Sequence, residues 1–126
     1  MKRFVAAVII FVIALTSAIG SNVLVKKRIE VLTDDTQALI KAVVTKDEDT
    51  VREKLKVLIE SWEKSDTILH MFVVHREMTE FELNVYAIEE YLNGGDWELI
   101  RECSVRMQEA LTHIQHSQKL SLRNVF

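Results

Sequence analysis

The sequence predicts an all-α protein: an N-terminal transmembrane helix followed by an antiparallel helical bundle of stacked helix hairpins. Three observations predict it. The 126 residues contain no proline and only three glycines, Gly20, Gly94 and Gly95, so the residues that break regular structure are nearly missing. Leu, Ile, Val, Glu and Lys are abundant and aromatic residues are few, which is helix-bundle composition. Apolar residues recur at three-to-four spacing along most of the chain, the period of an amphipathic helix.

The first element is the run Phe4 to Val25, which carries no charged side chain. At helical rise it spans about 33 Å, enough for a hydrocarbon core of about 30 Å. Lys2 and Arg3 precede it, and Lys26, Lys27 and Arg28 follow it as an interfacial flank. Residues 1–28 therefore read as a membrane anchor with basic flanks, and residues 29–126 as an acidic helical-bundle domain. The alternative is a cleavable signal peptide. Ala18 and Gly20 have the small-residue spacing for a cut before Ser21, which would release a secreted domain. Retention is preferred, because the apolar spacing runs unbroken into the next helix. The resemblance of the first residues to an export signal places the domain outside the cytoplasm.

Ile29, Leu32, Thr36, Leu39, Ile40 and Val43 continue the helix to about Val44. Thr45 and Glu48 stand in capping-box spacing and predict the next helix start. Val51, Leu55, Leu58, Ile59, Trp62, Leu69, Phe72 and Val73 form the apolar stripe of that helix, which is expected to reach about Arg76. Ser65 and Asp66 interrupt the stripe and suggest a turn facing solvent or a polar partner. Thr79 and Glu82 form a second capping box, with Met78 and Leu83 placed as its hydrophobic staple. Phe81, Val85, Ile88 and Leu92 then point inward, and Asn93-Gly94-Gly95 ends the helix. Asp96 caps a last long helix whose apolar face is Trp97, Ile100, Cys103, Met107, Leu111 and Ile114. Leu120, Leu122, Val125 and Phe126 are expected to pack back on the bundle as a short turn. Helices joined by such short turns must lie antiparallel.

The layout resembles a bacterial family of short, single-anchor helical proteins known as domain of unknown function 4363. The resemblance lies in the anchor and in Ile59-Glu60-Ser61-Trp62-Glu63-Lys64. It extends to Phe72-Val73-Val74-His75-Arg76-Glu77, His113-Ile114 and the end from Lys119 to Phe126. It implies the anchored helical architecture and no assigned activity.

Charge narrows the function. From Ile29 onward there are 11 basic and 19 acidic side chains, a net of −8. So acidic a domain is repelled by phosphate backbones, which argues against nucleic acid. The chain contains no glycine-rich phosphate loop, no nucleophile elbow and no zinc-ligand spacing. Paired carboxylates are many, but catalysis needs two of them in contrasting environments, and nothing marks such a pocket. Cys103 is a lone cysteine on an apolar stripe and reads as a small buried hydrophobe. Trp62 and Trp97 read as core residues, while Tyr91 is expected to lie outside the core. No enzyme activity, no cofactor and no metal site is expected.

Two functions remain. The first is a membrane-tethered interaction or scaffold module, binding the membrane through residues 4–25 and a protein partner or a second copy through Leu32, Leu39 and Val43. The alternative is a small-molecule or metal sensor using His75, Glu77 and His113. Glu109, four residues before His113, is a further candidate for such a cluster. The preferred reading of the two histidines is instead that they are partly buried polar groups fastening helix ends.

Overall fold

The computed structural model describes the backbone of residues 1–73 and 75–125, and the side chains of all of these except Phe72 and residues 121–125. The described residues form four helices in chain order and no strand: α1 (Lys2–Thr45), α2 (Glu48–Phe72), α3 (His75–Gly94) and α4 (Trp97–Val125). Each helix packs on its neighbours in the ring α1–α2–α3–α4–α1, and among the described residues none makes contact across the diagonal. Pairs at the helix interfaces fix the directions. Thr33 meets Gln115, Asp35 meets Ser61, Arg52 meets Asn93 and Glu77 meets His113, so successive helices run antiparallel.

α1 is one unbroken helix of 44 residues, about 66 Å long. Its two halves have different surroundings. Residues 2–20 are exposed throughout, including Phe4, Ile9, Ile10 and Phe11. From Val25 on, Ile29, Leu32, Thr36, Leu39, Ala42 and Val43 are buried against the bundle. The exposed half is long and apolar enough to cross a membrane.

The core is a single cluster running through all four helices. Trp62 is its largest fully buried side chain, with its ring 5.0 Å from that of Phe81. Leu58, Leu69, Met78, Ile88, Ile100, Met107 and Ile114 belong to the same cluster and are fully buried. The apolar stripes read from the sequence supply almost all of these residues. Phe72, Leu122, Val125 and Phe126, also assigned to the apolar faces, lie outside the described side chains.

The helix boundaries correct several expectations. Thr45 does not cap α2. It closes α1 by donating its hydroxyl to the Ala42 carbonyl, and Lys46 follows in the left-handed conformation with φ 55°. Asp47 is the true N-cap, accepting from the Thr50 amide and hydroxyl. Those two bonds hold its carboxyl below the ordinary value, because they favour the charged form.

α2 stops at Phe72, four residues earlier than expected, where Val73 turns extended at φ −118°, ψ 151°. Val73 and Val74 are both β-branched and poor helix formers, so a turn costs little here. α3 therefore starts at His75, and the second capping box falls inside it. Thr79 donates its hydroxyl back to the His75 carbonyl, and Leu83 is 64% exposed rather than stapled. Ser65 is fully buried and donates to the Ser61 carbonyl, so it faces neither solvent nor a partner. Tyr91 packs against the core, whereas Tyr86 is the exposed tyrosine. The tail is a continuation of α4 and not a separate turn, and Leu120 on it is exposed.

Candidate functional site

The three sequence-predicted polar residues do not form one site. Glu77 and His113 come together where the start of α3 passes the end of α4, with His113 Nδ1 3.6 Å from Glu77 Oε2. That distance is beyond a direct hydrogen bond. The His113 side chain is 66% exposed and Glu77 23%, so the pair is a surface contact and not the half-buried clasp expected from the sequence. His75 is separated from this pair. It is exposed, and its ring sits edge-on to that of His70 at 5.5 Å.

His70 in turn stands edge-on to Trp62 at 6.3 Å, and its Nδ1 lies 2.5 Å from the Asp66 carboxylate. An aromatic file thus runs Phe81, Trp62, His70, His75, from the core to the surface at the α2–α3 junction. On one continuous helix, residues five apart diverge, so helical spacing alone does not pair His70 with His75. The break at Val73 is what folds His75 back onto His70.

Glu77 and His113 line a shallow polar groove of about 270 Å³ with Arg76, Glu80, Arg106 and Glu109. Its charges largely compensate each other, three carboxylates against two guanidiniums. Glu109, the further candidate, does line it. Among the described residues, no three His, Cys, Asp or Glu side chains converge in a metal-ligand arrangement.

The proposed interface residues are also corrected. Leu32, Leu39 and Val43 are buried in the chain's own core, covered by the neighbouring helices. Their stripe is not available to a partner. Cys103 is buried as expected, and burial pushes its thiol above the ordinary value.

A larger cleft of about 570 Å³ opens between α1 and the end of α4, where the exposed half of α1 leaves the bundle. Nothing in the periodicity of either helix alone announces it, because it exists only where two helices diverge.

The pattern of the family described as domain of unknown function 4363 matches residues 19–125, most of the chain. The chain belongs to that family. The DUF4363 region begins at Ile19, within α1, and takes in the whole bundle. No curated protein and no solved structure matches the chain.

Proposed function

We propose that this DUF4363 protein is a membrane-tethered helical module that presents its bundle to a protein partner close to the bilayer. One observation carries the reading. α1 is continuous from Lys2 to Thr45, fully exposed and apolar in its first half, and a core helix of the bundle in its second. An apolar surface of that size is stable in water only when something covers it, and a bilayer fits its length. With no break between the halves, the bundle is held at a fixed attitude to its anchor and not on a flexible leash.

The charge arrangement supports the same reading. Lys26, Lys27 and Arg28 mark the interfacial end of the apolar run, and the bundle beyond it is acidic. The domain lies on the extracytoplasmic side in this proposal, following its export-like N-terminus. The role is binding and not catalysis. The one thiol is buried and held protonated, and the polar groove is a charge-compensated surface feature.

Flotation of the full chain with phosphatidylcholine vesicles, followed by a high-salt wash, tests the tether. Retention on the vesicles is expected, and release by salt would sink the reading. A reporter fused after Phe126 tests sidedness. Crosslinking in native membranes tests the partner, and recovery of the chain only as an uncrosslinked monomer would overturn the interaction role.

A further inference from the structure

The cleft between α1 and α4 has a composition unlike the rest of the surface. One wall is apolar, formed by Ile19 and Val23 on the exposed half of α1. Its polar rim carries two ammonium groups, Lys26 and Lys119, against one carboxylate, Glu30. Gln115 also lines it, and donates its amide to the Thr33 hydroxyl at 3.2 Å. That bond fixes the end of α4 beside α1, so that Lys119, one turn further on, is carried toward the anchor. The result is a basic rim on a domain that is otherwise strongly acidic.

We propose that this cleft seats one anionic phospholipid, with an acyl chain along Ile19 and Val23 and the headgroup phosphate between Lys26 and Lys119. The inference rests on the tethered reading, which sets the cleft at the depth where headgroups lie. Two features select this occupant. The apolar wall is continuous with the surface of α1 that faces the acyl chains, so a lipid tail enters it without leaving hydrocarbon. The two lysines can lay their stems on that wall while their charges reach the phosphate. A zwitterionic lipid brings a third cation beside the two lysines and is disfavoured.

The test is native mass spectrometry of the full chain, released from nanodiscs of phosphatidylcholine mixed with phosphatidylglycerol. One retained phosphatidylglycerol per chain is expected. Lys26→Gln combined with Lys119→Gln should abolish that adduct. Lys27→Gln combined with Arg76→Gln removes two positive charges outside the cleft and should leave it in place. All four lysine and arginine side chains project from helix surfaces, so circular dichroism should show unchanged helicity in both double variants. Equal loss in the two variants would mean a diffuse basic collar and would overturn the proposal. Retention of phosphatidylcholine to the same extent, or a lipid-free dimer with a second copy in the cleft, would overturn it as well. The flotation experiment separates the two claims: a chain that floats on vesicles yet retains no phosphatidylglycerol loses the cleft and keeps the tether.

Discussion

Ser61 of α2 donates its hydroxyl to the Asp35 carboxylate of α1 at 2.6 Å, on partly buried ground between the two helices. Hydrogen bonds to a charged acceptor are shorter and stronger than neutral ones. Removing the donor also leaves the carboxylate poorly solvated where it stands. Ser61→Ala is therefore expected to destabilise the bundle by about 1–2 kcal/mol. Denaturant unfolding of the full chain in detergent micelles, followed by circular dichroism, measures it. A change near zero would mean that water replaces the hydroxyl without loss.

Trp62 is the largest side chain in the core, and it is buried on every side. It packs on Phe81 of α3 and reaches His70 near the end of its own helix. Trp62→Ala should cost about 3–5 kcal/mol, through lost transfer energy and the cavity left behind. Trp62→Phe should cost clearly less, because the ring contact with Phe81 can persist. The same unfolding experiment orders the three proteins. Equal stability of the Ala and Phe variants would show that the ring contact contributes nothing.

The contrast between Trp62 and His75 shows which parts of this molecule were legible in the sequence. Periodicity places Trp62 on a stripe with Leu55, Leu58 and Leu69, and burial follows directly, because one face of each helix must leave water. The ends of the chain's long helix hairpins are also written locally, in Asp96 and in Asn93-Gly94-Gly95. The α2–α3 junction is not. Without glycine or proline there, the sequence extends α2 too far, and Thr79 and Glu82 then mimic a helix start. A capping box is only a spacing, and Thr-x-x-Glu fits the interior of a helix equally well. Leu32, Leu39 and Val43 failed differently. Their stripe was correctly read as apolar, but whether a stripe meets a partner or the chain's own helices depends on tertiary packing. The α1–α4 cleft was invisible for the same reason.

Cys103 makes the stability of the bundle depend on alkaline pH. Burial raises its thiol, with Glu102 acting in the same direction and Arg106 opposing. The folded chain therefore keeps the proton to a higher pH than the unfolded chain, which releases it near the ordinary value of 9.0. The contribution is complete below that value and is lost as pH rises through the raised folded value. Tyr86 acts in the same sense at higher pH, raised by burial and by Glu63, Glu82, Asp66 and Glu89. Unfolding midpoints measured upward from pH 8 should thus decline, and Cys103→Ala should flatten the first part of the decline. An identical slope in the variant would show that the thiol ionises as freely in the fold as outside it.

Gly94 and Gly95 stand side by side and predict opposite outcomes. Gly94 is the last residue of α3, and a methyl group added there meets open space. Gly95 also has open space around it, but its φ is +71°, a conformation that L side chains rarely adopt. Its amide bonds the Leu92 carbonyl, and that of Asp96 bonds the Tyr91 carbonyl, so the left-handed turn terminates α3 and delivers Asp96 to cap α4. Gly95→Ala is expected to cost about 1 kcal/mol, because the strain cannot be relieved without losing these bonds. Gly94→Ala should be neutral or stabilise by up to about 1 kcal/mol through its helix propensity. Since crowding is absent at both positions, the difference between the two variants isolates backbone conformation. Equal effects in denaturant unfolding would mean that the left-handed residue is not what fixes the α3–α4 hairpin.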